Sequence, residues 1–241
     1  DVSEVKALTD QLIRADRLAA MGELTAGVAH EVRNPLGIIR ASVQLVEDAG
    51  MDVSRIAEAT RIIKQEIDRL DRVIKALLDF GRPSAPTLRP TDVEAVVTDV
   101  VLFTRRFAGQ ARVEIDTEFA AGVPLVAADA DQLKQVLVNL VSNAVQAMET
   151  GGGTITVRVW DDDAYVFVSV ADTGPGIPAD VLPKVFDPFF STRDDGTGLG
   201  LTIVHRIIDQ HGGRIEVESA PETGTRFTVA LPAASTGEAM R

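Results

Sequence analysis

The sequence contains no cysteine, which excludes a disulfide scaffold, a cysteine-ligated zinc site and thiol catalysis. Aromatic residues make up only 5% of the 241 residues, with one tryptophan and one tyrosine. No apolar run reaches the roughly 18 residues that a membrane-spanning helix needs, and no signal-peptide pattern opens the chain. Basic residues number 24 against 36 acidic ones, a net charge of −12. Such a shortage of positive charge argues against binding to nucleic acid or to an anionic membrane.

Proline and aromatic residues are almost missing from the first 80 residues, which contain only Pro35 and Phe80. Two apolar stripes at three- and four-residue spacing predict two helices there, separated by the polar segment 47–54. The first stripe is Val5, Leu8, Leu12, Ala15, Leu24, Val28, Val32 and Ile39, and the second is Ile56, Ile63, Ile67, Leu70, Ile74 and Leu77. Ser54 or Asp52 could cap the second helix. Since two helices cannot enclose a core alone, we expect a hairpin that dimerises into a four-helix bundle.

The remaining residues have a mixed pattern. Three prolines within 81–90 predict a linker. Beyond it we expect helices at about 91–108, 129–149 and 198–211, and strands at about 112–119, 153–160, 164–171, 213–219 and 224–231. Short strands joined by glycine turns beside a few helices predict an α+β sandwich, one sheet covered by helices. The predicted domains are 1–80 helical hairpin, 81–90 linker, 91–233 α+β domain and 234–241 tail.

His30 lies on the side of its predicted helix opposite the apolar stripe, so it is expected to face water. A solvated surface histidine is the simplest interpretation. Its neighbours favour a chemical role, because Glu31 could hold one ring nitrogen protonated and raise the nucleophilicity of the other. Asn34, one turn along, could orient a water or a phosphoryl oxygen. Pro35 predicts a helix kink beside the histidine, and we hypothesise that this kink lets the histidine shift between catalytic poses.

Asn139 and Asn143 lie one turn apart on the predicted helix 129–149, away from the centre of its apolar stripe. They are therefore expected at the rim where this helix borders a cleft. Carboxamide oxygens suit Mg²⁺, which keeps several waters and bridges substrate phosphates. Two rim asparagines by themselves are equally well explained as surface polar residues.

A first glycine motif follows a predicted strand and contains Asp172, Gly174, Gly176 and Ile177. Its glycines allow a sharp turn and the close approach of a planar ligand, and Asp172 could accept from an exocyclic amine. A plain β-turn is the alternative interpretation.

A second glycine motif contains Gly196, Thr197, Gly198, Leu199 and Gly200 and opens the predicted helix 198–211. Glycines before a helix N-terminus expose N–H groups, and the helix dipole adds positive charge, which favours an anion. The motif is neither a P-loop nor a dinucleotide fingerprint, since no Gly-Lys-Ser/Thr follows and no βαβ repeat surrounds it.

Aromatic residues and one arginine lie between the two glycine motifs. Phe186, Phe189 and Phe190 could anchor a mobile loop, although core packing explains them as well. Arg193 could reach a terminal phosphate.

Together and in this order, the motifs resemble the transmitter region of a two-component sensor histidine kinase, and are most similar to the nitrogen-regulation type. The matching segments are His30–Pro35 with the phospho-acceptor motif, Asn139–Asn143 with the asparagine box, Asp172–Gly176 and Gly196–Gly200 with the two glycine boxes, Phe186–Phe190 with the phenylalanine box, and Gly224–Phe227 with the late Gly-Thr-x-Phe strand.

The resemblance implies a Bergerat-type ATP-binding fold that uses ATP and Mg²⁺. Asn143 is then the Mg²⁺ ligand and Asn139 assists the phosphates. Asp172 reads adenine N6, with Thr225 beside it, and the first glycine motif completes this end of the site.

The phosphates are implied to lie on the N–H groups of Gly198, Leu199 and Gly200, with Arg193 offsetting charge in the transition state. Gyrase, the 90-kDa heat-shock chaperone and mismatch-repair ATPases share this fold and place a water-activating glutamate one turn before the metal-binding asparagine. Asn139 stands at that position here. The lack of a base there disfavours hydrolysis and favours His30 as the phosphoryl acceptor.

The implied cycle takes phosphate from ATP to His30 of a homodimer and then to the receiver domain of a separate response regulator. Asn34 could position water for the reverse dephosphorylation of that regulator. An ATP-binding conformational switch with little kinase activity is the main alternative, and a chaperone-type hydrolase is a third.

We expect an upstream sensor domain outside this chain, no direct membrane contact by this fragment, and a cytoplasmic location that leaves room for a membrane anchor in the full-length protein. His205 and His211 match no transfer motif and are interpreted as structural, with His211 suited to a helix C-terminus.

Overall fold

The computed structural model describes residues 32–48, 50, 52–81, 85–162, 164–193 and 196–234, with only the backbone for 75–81. The chain divides into two compact units. One comprises residues 1–81 together with 191–197, and the other comprises 82–190 together with 198–241. We refer to them as the helical unit and the α/β unit.

The described part of the helical unit contains helical residues 32–48, labelled α1, and the helix α2, Val53–Gly81. Asp52 begins α2, because its Oδ1 accepts from the N–H groups of Ser54 at 3.1 Å and Arg55 at 3.3 Å. The cap is therefore Asp52 rather than Ser54. These hydrogen bonds hold the pKa of Asp52 below its usual range. Of the first apolar stripe, only Val32 and Ile39 are among the described residues, and His30, beside which the kink is predicted, is not.

The α/β unit begins with a small two-stranded sheet. Strand β1, Arg89–Thr91, pairs antiparallel with β3, Val126–Ala128. Thr91 is buried, and its hydroxyl donates to the carbonyl oxygen of Ala128 at 2.9 Å. The end of the segment predicted as a linker is therefore part of a strand. Three-residue strands show no periodicity in sequence, which is why the pattern did not indicate either of them.

The main sheet has five strands in the order β2-β4-β5-β7-β6. The strands are β2 Val113–Phe119, β4 Gly153–Asp161, β5 Tyr165–Asp172, β6 Arg214–Ala220 and β7 Gly224–Pro232. The pair β2–β4 is parallel and the other three pairs are antiparallel. Alternate valines of β4 and β5 are buried, so one face of the sheet points into the core. The neighbouring strands β4 and β5 form a hairpin, and Asp162 accepts from two N–H groups in its turn.

Three helices in the described part of this unit cover the sheet: α3 Val93–Gln110, α4 Ala130–Ala147 and α5 Gly200–Gln210. They contact β2, β5 and β6 respectively, while α4 also packs between α3 and α5. The whole predicted apolar stripe of α4 is buried: Leu133, Val136, Leu137, Leu140, Val141, Ala144, Val145 and Met148. The predicted sandwich of one sheet covered by helices is confirmed. Each helix and strand predicted beyond residue 90 has boundaries within two residues of those observed.

Candidate functional site

The helix α4 carries the two asparagines of the site. Both Asn139 and Asn143 are half-buried, as expected for side chains at the rim of a cleft. The amide of Asn139 lies 3.5 Å from the carbonyl oxygen of Gly200, at the first residue of α5. This contact brings the asparagine motif next to the second glycine motif.

A tight turn that requires glycine at position 198 precedes the N-terminus of α5. Gly198 has φ +63°, and a Cβ at this position would collide with the backbone of Phe189. The N–H of Phe189 in turn donates to the carbonyl oxygen of Gly198 at 3.0 Å. Leu199 is 0% exposed and anchors the turn in the core. Because no side chain caps α5, its first N–H groups remain available to an anion, such as a phosphate.

Asp172 lies at the end of β5, directly opposite Thr225 of β7. Its Oδ1 accepts from the N–H of Gly174 at 2.9 Å and from the N–H of Thr225 at 3.2 Å. Burial raises the pKa of Asp172 above its usual range, and the two N–H bonds oppose that rise. Since Oδ1 takes both donors, Oδ2 is the oxygen left for an amine of a ligand.

Two glycines let the strand ends approach each other around Asp172. A Cβ on Gly176 would collide with the carbonyl group of Ala220, and one on Gly224 would collide with the carbonyl group of Asp172. Both glycines also have positive φ, +74° and +88°. The predicted sharp turn and close approach are therefore present, and a larger residue would push apart the elements that hold Asp172.

Ser219 connects the parts of this end of the site, and the sequence reasoning missed it. Its Oγ accepts from the N–H of Ile177 at 2.8 Å and donates to the carbonyl oxygen of Gly224 at 2.8 Å. It also lies 2.9 Å from the hydroxyl of Thr225. A half-buried serine near the end of a strand gives no motif signal, because its partners lie on other elements and Ile177 is 42 residues away.

The helix α4 spans the distance between the two glycine motifs. Asn139, in the middle of α4, contacts Gly200, while Gly174 packs against Ala147 and Met148, where the helix ends. Asn139 and Ala147 are eight residues apart, about 12 Å along a helix. Asn143 lies between them. The arrangement offers an anion site at one end, an amine acceptor at the other and a carboxamide in the middle, which suits an extended nucleoside triphosphate.

Several predicted site residues are not brought together by the structure. His30 and Glu31 lie outside the described residues, while Asn34 is described and exposed. Arg193, Gly196 and Thr197 belong to the segment that groups with the helical unit. In that segment, the hydroxyl of Ser191 accepts from the N–H of Arg193 at 3.1 Å.

Phe186, Phe189 and Phe190, the aromatic residues before that segment, are all half-buried, and Phe186 packs against neighbouring rings. The ring of Phe186 lies 5.5 Å from that of His205 and 6.3 Å from that of Phe227. The hydroxyl of Thr202 donates to the carbonyl oxygen of Phe186 at 3.1 Å. This packing attaches the beginning of the loop to α5.

The donor set at the site fits a Mg²⁺–nucleotide complex. Among the described residues, no three His, Cys, Asp or Glu side chains come together as a metal site. Magnesium does not need such a cluster, because it keeps several waters and is bound through substrate phosphates. A single carboxamide oxygen from Asn143 fits that requirement. None of the described helices is long and apolar enough to cross a membrane.

The fold and the site define a nucleotide-binding ATPase domain that follows a pair of helices. Residues 128–235 match the family model for the histidine kinase-, DNA gyrase B- and HSP90-like ATPase. Residues 20–86 match the model for the His Kinase A (phospho-acceptor) domain. The chain belongs to the two-component sensor histidine kinases and comprises their transmitter region.

Two curated relatives match nearly the whole chain. The chain is 40% identical to the signal transduction histidine-protein kinase AtoS of Escherichia coli over 233 residues, 96% of this chain and 38% of AtoS. It is 40% identical to the sensor histidine kinase ZraS of Klebsiella oxytoca over 228 residues, 94% of this chain and 49% of ZraS. The chain therefore spans less than half the length of these curated relatives.

Two solved structures show the likeness in three dimensions. The complex of histidine kinase ThkA with response regulator protein TrrA has a TM-score of 0.78 and 33% identity, covering 92% of this chain and 64% of that one. Full-length ShkA in complex with AMPPNP has a TM-score of 0.66 and 30% identity, covering 91% of this chain and 47% of that one.

Proposed function

We propose that this chain is an ATP-dependent histidine autokinase that phosphorylates His30. A ring nitrogen of His30 attacks the γ-phosphorus of ATP, the bond from that phosphorus to the bridging oxygen breaks, and ADP leaves. Glu31 holds the other ring nitrogen and accepts its hydrogen bond. The products are phosphohistidine and ADP.

The observation that carries this proposal is the chemistry of Asn139. Its carboxamide lies beside the N-terminus of α5 and points its amide at the carbonyl oxygen of Gly200. A carboxamide cannot take a proton from water as a carboxylate can, so the position that would activate water in a hydrolase has no base. The γ-phosphate is then kept for a protein nucleophile.

The remaining residues of the site bind and orient the nucleotide. Asp172 accepts from the adenine amine through Oδ2, while Thr225, Gly174, Gly176 and Ile177 shape that end of the pocket. The N–H groups of Gly198, Leu199 and Gly200 hold phosphate oxygens. Asn143 would hold Mg²⁺, which supplies charge neutralisation on the phosphates. Arg193, Gly196 and Thr197 close over the phosphates.

We propose a homodimer as the active assembly and a response regulator as its partner. Apolar side chains of the helical unit are exposed in a single copy, as expected for helices that pair with a second copy: Leu36, Ile38, Val43, Leu45, Val53, Ile67 and Ile74. The similarity to the ThkA–TrrA complex supports phosphoryl transfer to a receiver-domain aspartate. The exposed Asn34 would position water for dephosphorylation of that regulator.

Incubation of the whole chain with Mg²⁺ and ATP labelled at its γ-phosphate tests the kinase. We expect acid-labile, alkali-stable label on the protein, lost in His30→Gln and retained in the matched control His205→Gln, because His205 is a surface histidine packed on Phe186. Sustained release of labelled phosphate without labelled protein would instead indicate a hydrolase. Nucleotide binding with neither label nor release would indicate a conformational switch.

A further inference from the structure

A buried histidine at the end of α5 makes two directed hydrogen bonds. His211 is 6% exposed, and its Nδ1 lies 2.7 Å from the carbonyl oxygen of Ile207. Its Nε2 lies 3.0 Å from the backbone nitrogen of Asp129. Since a carbonyl oxygen only accepts, Nδ1 carries the proton and Nε2 accepts from the N–H of Asp129. One neutral tautomer satisfies both partners.

Asp129 holds its own N–H in place for that bond. It is the N-cap of α4, with φ −89° and ψ 109°, and its Oδ1 accepts from the N–H groups of Asp131 and Gln132. Its Oδ2 accepts from the N–H of Thr87 at 3.0 Å. Burial works to raise the pKa of Asp129, but the three N–H bonds outweigh it and lower that pKa. Asp129 is therefore ionised, and its carboxylate accepts three hydrogen bonds that fix its position.

The bond from Asp129 to His211 joins the start of α4 to the end of α5. At the opposite end of α5, Gly200 contacts Asn139 of α4. The two helices thus run antiparallel and are tied near both ends of α5, whose 11 residues span about 16 Å. A helix moves as a rod over that length, so a displacement at His211 also displaces the N–H groups around Gly200.

We propose that His211 is a positioning residue for the nucleotide site: its bond to Asp129 sets the axial register of α5 against α4. This register decides where the phosphate-binding N-terminus of α5 lies relative to Asn139 and Asn143. The inference rests on the proposed function, since it assigns the phosphates to that N-terminus. The ring itself lies at the far end of α5 and does not touch the reacting atoms.

Two amide substitutions separate the two bonds of the ring. His211→Asn keeps a donor near the Nδ1 position for Ile207 and removes the acceptor for Asp129. His211→Gln keeps an acceptor near the Nε2 position. We expect His211→Asn to raise the KM for ATP in autophosphorylation at least about fivefold, because small misplacements at a reaction site are costly. His211→Gln is expected to stay within about twofold of the unsubstituted chain.

His205→Asn is the matched control, because it changes an exposed histidine of the same helix. The KM for ATP, the maximal rate of His30 labelling, the Kd of a fluorescent ATP analogue and the thermal unfolding midpoint are measured on the whole chain. Labelling absent from the unsubstituted chain would refute the proposed function, while the Kd series would still test the role of His211.

Two results would overturn the inference. In one, His211→Asn lowers the unfolding midpoint but leaves KM and Kd within twofold of the unsubstituted chain, which is the pattern of a purely structural residue. In the other, His211→Gln raises KM as much as His211→Asn, which would show that the acceptor for Asp129 is not what matters.

Discussion

The three α-helices described in the α/β unit begin in two different ways. The helices α3 and α4 each start at an aspartate, Asp92 or Asp129, whose side chain accepts from two N–H groups of the first turn. The helix α5 starts at a glycine-rich turn with no side-chain cap. All three helices have a buried apolar face against the same sheet, so the difference is not one of packing.

The capped N-termini of α3 and α4 contribute to stability, whereas the uncapped N-terminus of α5 leaves N–H groups for a ligand. An N-cap aspartate contributes about 1 kcal/mol by satisfying N–H groups that the helix cannot pair itself. At α5 the chain forgoes that contribution, and its first N–H groups are the ones that we propose bind the phosphates. The uncapped helix end is also the one that approaches Asn139, which supports a phosphate as its intended partner.

Gly198→Ala should have the largest effect on stability and nucleotide binding, because it disrupts the turn before the uncapped N-terminus of α5. Its φ of +63° and the collision of a Cβ with the backbone of Phe189 force the turn to change shape. We expect a loss of roughly 1–3 kcal/mol in the free energy of unfolding and at least about a tenfold rise in the Kd of a fluorescent ATP analogue.

Gly200→Ala in the same motif is the matched comparison for stability. A Cβ at Gly200 meets only Asn139 Oδ1, at 4.0 Å, which is an ordinary contact. Its free energy of unfolding should therefore change by less than about 0.5 kcal/mol. Equal destabilisation by both substitutions in chemical denaturation would contradict the strain that we expect for alanine at position 198.

Asp129→Ala should have the second-largest effect on stability, because it removes the cap from the N-terminus of α4. We expect a loss of about 2 kcal/mol in the free energy of unfolding, against about 1 kcal/mol for Asp92→Ala. The excess arises because Asp129 also accepts from the N–H of Thr87, whereas among the described residues Asp92 accepts from its own helix alone. Urea unfolding of both variants measures the difference, and an equal loss would mean that the Thr87 bond adds nothing.

The pH dependence of Asp129 has a definite sign. Because its pKa is lower in the folded chain, the stability that it contributes is present above the unfolded pKa and is lost as pH falls through the folded pKa. The difference between Asp129→Ala and the unsubstituted chain should therefore shrink in acid. A difference that is constant with pH would assign the effect to packing alone.

Asp172→Asn should have the smallest effect on stability, and in the opposite direction. Its pKa is raised in the folded chain, so the folded state binds the proton more tightly and the ionised carboxylate costs stability at neutral pH. Asparagine can still accept from Gly174 and Thr225. We expect a gain of less than about 1 kcal/mol at pH 7 that disappears as pH falls through the folded pKa. A loss of stability at pH 7 would show that the negative charge itself is needed for the fold.

The longer helices and strands of the α/β unit could be predicted from sequence, because the residue patterns that indicate them are local. The stripe of α4 from Leu133 to Met148 has helical spacing, and alternate valines mark β4 and β5. The strands β1 and β3 could not be predicted, since three residues show no period and their pairing joins segments more than 30 residues apart. The cap of α2 was ambiguous between Asp52 and Ser54 because both residue types form the same kind of bond.

Some residues of the candidate site could likewise be predicted from sequence, while others could not. Asn139, Asn143, Asp172 and the glycines around Gly198 are recognisable because each motif is contiguous. Ser219 and the bond between Asp129 and His211 carry no such signal, because their partners lie on different elements. Sequence reasoning identified His211 as structural, but its partner could not be inferred from its position after α5.

By itself, the sequence determined the order of the elements, the face that each one buries and the residues that we propose bind a nucleotide. These are consequences of periodicity and of side-chain chemistry within a few residues. Only the tertiary structure decided which of those residues meet: Asp172 with Thr225, Asn139 with Gly200, and His211 with Asp129. The physical reason is that a hydrogen bond between distant segments depends on how the sheet and the helices pack, and no local pattern encodes that packing.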